Sequence, residues 1–205
     1  MHRRGWLIGV GLSGAAAFVD CPAWAADGPD TPIRALLEAL LTSMKAGTVA
    51  PFPKRSATLA PFIERAFDIG ATLQGTVGPR WASFTPAQQS QLFDTFRAFT
   101  IARYTENFEE FGGEKLEVLP GIRAAGTDQI VPTQIVPSRG DPIRIDYVMR
   151  QTAQGWRAVD VLLNGTISQV AVQRSDFRAL LASGGPDALI ASLKQKTAAL
   201  SGGTL

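Results

Sequence analysis

The feature that most constrains this chain is an alternating run between Ile143 and Leu163. Ile143, Ile145, Tyr147 and Met149 recur at a spacing of two, with Arg144, Asp146 and Arg150 between them. Successive side chains of a strand point to opposite faces, so this spacing predicts a half-buried strand with one apolar face. Gln154-Gly155 interrupts the pattern, and Trp156 to Leu163 resumes it with Val159, Val161 and Leu163 on one face. Two such runs joined by a short glycine-containing loop predict an antiparallel hairpin. Asn164-Gly165 stops the second run, and Thr166 is positioned to cap the next element. Ile167, Val170, Phe177, Leu180 and Leu181 then recur at helical intervals. An apolar hairpin face thus leads directly into a helix able to cover it, either as close packing or as the wall of a cavity.

The start of the chain has a different character. His2-Arg3-Arg4 is basic, Trp6 to Phe18 is apolar, and Ala23-Trp24-Ala25 has the small-residue pattern of a cleavage site. Residues 1–25 therefore read as a secretory signal peptide, and residues 26–205 as one exported domain. Cleavage would remove Cys21 and His2, the only cysteine and the only histidine. A mature chain without either residue type forms no disulfide, no zinc site of the usual nitrogen and sulfur kind, and no cysteine or serine–histidine nucleophile. No metal or cofactor is expected. Charge is nearly balanced, with 20 Lys and Arg against 18 Asp and Glu and no dense basic cluster, so nucleic acid is not an expected partner.

Helical and strand signals then come in order. Thr31-Pro32 opens a helix with Ile33, Leu36, Leu37, Leu40, Leu41 and Met44 on one stripe, ended by Gly47. Val49 to Pro53 reads as a loop, and Ser56 as the start of a second helix with Leu59, Phe62, Ile63, Ala66 and Phe67 facing inward. Gly70 to Val77 carries Leu73 and Val77 among small residues, and Gly78-Pro79 breaks the chain before Trp81. Thr85-Pro86-Ala87-Gln88 is a capping box followed by a helix predicted to reach Phe111, with an aromatic stripe that includes Phe93, Phe96, Phe99, Tyr104 and Phe108. Glu114 to Ala125 and Asp128 to Ser138 read as two more strands, with Pro132 and Pro137 at an edge or a bulge. After a helix that stops near Gly184-Gly185, Pro186-Asp187 opens a last one. The result is an α+β fold: a four-stranded antiparallel sheet wrapped by several helices.

Three kinds of chemistry compete for this frame. Asp146 and Asp160 fall on neighbouring hairpin strands, and paired carboxylates serve as general acid and base when their pKa values are pushed apart. An enzyme of the hydrolase or isomerase kind would then use Asp146 and Tyr147. Arg144 and Arg157, however, stand close enough to explain the acidic residues as ion pairs. The aromatic stripe is either packed core or the lining of an apolar pocket. A solid core would leave a non-catalytic envelope adaptor.

The residues in order also resemble a known family. The landmarks are Phe67-Asp68-Ile69, Val77-Gly78 with Trp81, Thr85-Pro86-Ala87-Gln88-Gln89 with Phe93 and Phe96, and Tyr104. Gly113-Glu114-Lys115, Asp146-Tyr147, Trp156, Val159-Asp160-Val161, Gly165, Ser168, Arg174 and Phe177 complete the series. Together they resemble the MlaC or toluene-tolerance family of periplasmic lipid carriers over about Ile33 to Lys196. Gly165-Thr166-Ile167-Ser168-Gln169 and Arg174-Ser175-Asp176-Phe177 look most like the hopanoid-associated branch called HpnM, with Ile167 and Gln173 departing from the broader pattern.

That resemblance implies a sheet and helices enclosing an apolar cavity, no catalysed reaction and a location in the periplasm. The ligand would be a phospholipid or a hopanoid or sterol-like lipid. The partners would be an inner-membrane lipid transport complex of the ABC type and an outer-membrane lipid-exchange partner. From facing and from the family layout, the residues expected to line the cavity are Phe67, Leu73, Val77, Trp81, Phe96, Tyr104, Tyr147, Met149 and Val161.

Overall fold

The computed structural model describes residues 28–204, so the expected signal peptide lies outside the described residues. Helix α1 (Thr31–Ala46) is capped by Asp30, one residue earlier than Thr31, with Pro32 in its first turn. The Asp30 carboxylate accepts from Arg34 Nε at 2.8 Å instead of reaching a backbone N–H. Ile33, Leu36, Leu37, Leu40 and Met44 are buried, and Gly47 ends the helix with φ at 61°.

Helix α2 (Phe52–Ala66) begins four residues before Ser56. Pro51 is extended, and Pro53 sits in the first turn, where its missing N–H leaves no bond unmade. Helix α3 (Ile69–Val77) occupies the segment read only as small and apolar. Asp68 caps it by accepting the Ala71 N–H at 2.8 Å, and a 3₁₀ turn over Gly78–Ser83 comes next.

Helix α4 (Pro86–Asn107) opens on the capping box: Gln88 N–H donates to Thr85 Oγ1 at 3.3 Å and Thr85 N–H to Gln88 Oε1 at 3.0 Å. It stops four residues short of Phe111, which is exposed. The last turn has a partner outside the helix, since Arg55 Nη1 of α2 donates to the Thr105 carbonyl at 3.1 Å. A side-chain donor of this kind satisfies a carbonyl that a longer helix would have bonded internally.

The sheet has six strands, not four: β1 (Lys115–Val118), β2 (Arg123–Ala125), β3 (Asp128–Val136), β4 (Ile143–Thr152), β5 (Gly155–Leu163) and β6 (Ile167–Ser168). All pairings are antiparallel in the order β1-β3-β4-β5-β6, and β2 pairs with β3 beside β1. The extra strands have local causes. The first expected strand splits around Pro120-Gly121, where Gly121 has φ at 92°. Opposite the break lies Pro132, whose carbonyl accepts the Leu119 N–H at 2.8 Å. One residue of an antiparallel pair presents its N–H and C=O to the same neighbour. The donor that proline lacks therefore faces the interruption, which is how a proline sits inside an inner strand.

At the other end, Asn164 (φ 53°) and Gly165 (φ 73°) turn the chain tightly enough to add β6. The cap of the following helix is then Ser168, not Thr166, with Ser168 Oγ accepting the Ala171 N–H at 3.0 Å. Helix α5 (Gln169–Leu200) breaks at Gly184-Gly185 just before Pro186, as the sequence predicts.

The helices lie against the sheet through α1 on β1 and through α2, α3 and α5 on β5. Leu59, Ile63, Leu92, Phe96, Phe177, Leu181, Leu189 and Leu193 join the α1 stripe in one core. Each fully buried aliphatic or aromatic side chain there contributes about 1.5–3 kcal/mol. Between this core and one end of the sheet the packing opens.

Candidate lipid-binding site

The inner face of the central strands forms one wall. Ile135 on β3 pairs with Ile143 on β4, Ile145 pairs with Leu163 on β5, and Tyr147 pairs with Val161. Alternation brings all six side chains to the same face. The opposite wall is α4, where Phe96, Phe99, Thr100, Arg103, Tyr104 and Asn107 recur three or four residues apart. Ile69 and Thr72 of α3 and Gln169, Val170 and Gln173 of α5 close the sides.

The space so enclosed is about 390 Å³. This lies within the range of about 300–1,000 Å³ typical of small-molecule pockets. Burial gives it a direction. Phe67, Phe96 and Tyr147 are buried at one end, while Ile143 at 44 % exposure, Leu163 at 37 % and Asn107 mark the open side. The β-branched and aromatic residues that favour strands thus also make the wall apolar.

Rings surround the closed end. Phe67 stands 5.5 Å from Tyr104 and 6.1 Å from Tyr147, tilted to both, and Tyr104 stacks on Phe108 at 5.9 Å. Burial, followed by the neighbouring Tyr147, pushes the Tyr104 phenol well above its ordinary range. Burial likewise raises Tyr147 to about 12. Both hydroxyls therefore remain protonated and neutral across the physiological range, which suits an apolar enclosure.

Of the nine residues named from sequence, Phe67, Phe96, Tyr104, Tyr147 and Val161 border this space. Leu73 and Val77 of α3 are packed in the core away from it, and Trp81 sits in the 3₁₀ turn with its ring 6.2 Å from Phe84. Met149 is also fully buried elsewhere. The β3–β4 register runs unbroken from Ile143 to Met149, so Met149 keeps the face of Tyr147 but lies beyond it, in the packed core. Phe99, Thr100, Arg103, Asn107, Ile135, Ile143, Ile145 and Leu163 border the space without having been singled out from sequence. Their spacing from Phe96, Tyr104 and Tyr147 carries the signal. Gln169 and Gln173 have no such signal, because their position depends on where α5 crosses the sheet.

The carboxylates are differently occupied. Asp146 and Tyr147 are adjacent on one strand and so face opposite sides of the sheet. Asp146 is 0 % exposed, with Arg123 Nη2 at 2.8 Å from Oδ2 and Arg144 Nε at 2.9 Å from Oδ1. That hydrogen bond and charge raise the Arg144 pKa further above its ordinary value. Arg157, expected near Asp146, instead donates to the Glu64 carbonyl at 2.5 Å. Asp160 borders the pocket and accepts from Val161 N–H at 2.7 Å, Val170 N–H at 3.1 Å and Ser168 Oγ at 2.5 Å. Among the described residues, no group of three or more His, Cys, Asp or Glu is arranged to hold a metal. No described helix is long and apolar enough to cross a membrane.

Comparison with known proteins adds two findings. The family model described as MlaC protein matches residues 34–195. The structure of a phospholipid-binding protein from Ralstonia solanacearum, solved in complex with a phospholipid, resembles this chain with a TM-score of 0.73. Sequence identity is 22 %, over 85 % of this chain and 99 % of that one, a likeness that shows the shared fold.

Proposed function

This chain belongs to the MlaC family, and we propose that it is a periplasmic carrier that binds a lipid in the pocket between its sheet and α4. The observation that carries this reading is the pocket itself: an apolar space of about 390 Å³, closed by Phe67, Phe96 and Tyr147 and open beside Ile143 and Leu163. Each methylene moved from water into such a space is worth about 0.8 kcal/mol, so ten of them supply roughly 8 kcal/mol without a polar contact. The phospholipid held by the Ralstonia protein of like fold supports a phospholipid as the first choice.

The carrier would be exported through cleavage of residues 1–25 and would act as the single domain 26–205. It would shuttle lipid between an inner-membrane transport complex of the ABC type and an outer-membrane exchange partner. A hopanoid or sterol-like ligand is the second reading. It rests on the departures at Ile167 and Gln173, and Gln173 borders the pocket while Ile167 is exposed on β6.

Extraction from vesicles tests the proposal. Detergent-free mature protein is incubated with liposomes containing radiolabelled phospholipid or, separately, radiolabelled hopanoid, then separated from them and counted. Stoichiometric label on the protein is the expected result. Protein that stays unlabelled with every phospholipid and hopanoid offered would overturn the carrier reading.

A further inference from the structure

The apolar lining accounts for the chains of a lipid and leaves the polar residues of the pocket unexplained. Arg103 is the basic residue among those that border it, and Asp160 is the acidic one. Asp160 is already supplied with three donors from Val161, Ser168 and Val170. Arg103 is half-buried, and among the described residues no hydrogen bond or ion pair reaches its guanidinium.

That condition sets it apart from the other described arginines. Arg55, Arg97, Arg123, Arg144 and Arg150 each pair with a carboxylate, and others, such as Arg157 and Arg174, donate to a backbone carbonyl. Arg65, Arg139 and Arg178 also lack such a contact, but they stand exposed in solvent. A half-buried cation on an apolar wall without a counter-charge bears a desolvation cost that an anion in the pocket would offset.

Two further donors are close in the architecture. Asn107 lies one helical turn beyond Arg103 on the same face of α4, at the open side, and Gln173 faces the pocket from α5. Neither side chain makes a hydrogen bond among the described residues. Arg103 is about 6 Å inside Asn107 along the helix axis, at 1.5 Å per residue. The planar guanidinium fork matches two phosphate oxygens, and the amide N–H groups can take others.

We propose that Arg103, with Asn107 and Gln173, forms a phosphate subsite just inside the pocket mouth, holding the phosphodiester of a lipid whose chains lie against Phe96, Tyr147 and Val161. The proposal rests on the lipid-carrier reading and adds to it that the head group is gripped by charge. A neutral polycyclic lipid would leave Arg103 without a partner.

The test compares wild type with Arg103→Gln in three measurements: uptake from vesicles of phosphatidylglycerol, uptake of diacylglycerol with the same chains, and calorimetric titration with inorganic phosphate. Wild type is expected to take phosphatidylglycerol over diacylglycerol by about tenfold, and Arg103→Gln to lose that preference. Arg103→Lys, which keeps the charge and loses the fork, is expected to fall between them, and Asn107→Leu to lose part of the preference. Circular dichroism and a cooperative thermal transition establish that each variant is folded. If Arg103→Gln and Asn107→Leu both keep the wild-type preference, the subsite is overturned and the carrier reading stands. Uptake of neither lipid by wild type overturns the carrier reading and the subsite with it. Binding of inorganic phosphate that depends on Arg103, without lipid preference, would mark a free-anion site and overturn the assignment to a lipid.

Discussion

Asp160 Oδ2 accepts the Ser168 hydroxyl at 2.5 Å, and this contact ties the last long strand to the start of the covering helix. Ser168 in turn accepts the Ala171 N–H, so one serine both caps α5 and fastens it to β5. Asp160→Ala removes the shared acceptor of three donors and is expected to lower stability by about 3 kcal/mol. Ser168→Ala, which removes a cap, is expected to cost about 1 kcal/mol. Urea denaturation measures both, and an Asp160→Ala midpoint equal to wild type would contradict this account of the junction.

Leu73 and Val161 separate core from pocket. Leu73 is 0 % exposed and borders no open space, so Leu73→Ala is expected to cost about 2–5 kcal/mol and Leu73→Asp to prevent folding. Val161 is half-buried and borders the pocket, so Val161→Asp is expected to stay folded and lose lipid uptake. Circular dichroism together with vesicle extraction distinguishes them, and equal lipid uptake by Val161→Asp and wild type would count against the pocket.

The buried phenols predict an alkaline transition. Both Tyr104 and Tyr147 titrate higher in the folded chain than in the unfolded one, where tyrosine titrates near about 10. Their contribution is complete below that value and is lost as pH rises through the folded value, about 12 for Tyr147. Stability is therefore expected to be insensitive to these groups between pH 6 and 9 and to fall above 10. The double variant Tyr104→Phe with Tyr147→Phe should lose less stability between pH 9 and 11 than wild type. An identical alkaline loss in the two proteins would show that other groups cause it.

The Asp146 carboxylate, closed off from solvent beneath Arg123 and Arg144, predicts a strong dependence on having at least one of them. Alanine at either arginine alone leaves one partner. Alanine at both leaves a buried charge unpaired and is expected to cost about 3 kcal/mol, the low end for such a group because both guanidinium groups are partly solvated. Chemical denaturation of the two single variants and the double variant reads the coupling. Costs that simply add would rule out a shared role.

Much of the fold is legible in the sequence because local signals agree with the final packing. The Thr85–Gln88 capping box, the Ile143–Tyr147 alternation and the Gly184-Gly185-Pro186 break all reappear as elements or ends. The departures come from tertiary partners that no local pattern encodes. Arg55 donates to the Thr105 carbonyl from 50 residues away, at the end of a helix whose aromatic spacing alone continues through Phe108 to Phe111. The split of the first strand depends on Pro132 standing opposite Pro120-Gly121. The pocket is half legible for the same reason: periodicity indicates a face, so Phe96, Tyr104 and Tyr147 emerge together. Periodicity does not indicate where along that face the open space ends, so Met149 falls in the packed core beyond Tyr147, and Arg103 escapes a sequence reading because its lack of a partner is visible only in three dimensions.

The most direct measurement is native mass spectrometry, followed by solvent extraction, of the mature protein purified without detergent from its own periplasm. The account predicts a mass shift that matches a bound phospholipid and disappears on extraction. A clean unliganded mass that stays unliganded after incubation with liposomes would contradict the central claim and leave an envelope adaptor as the better description.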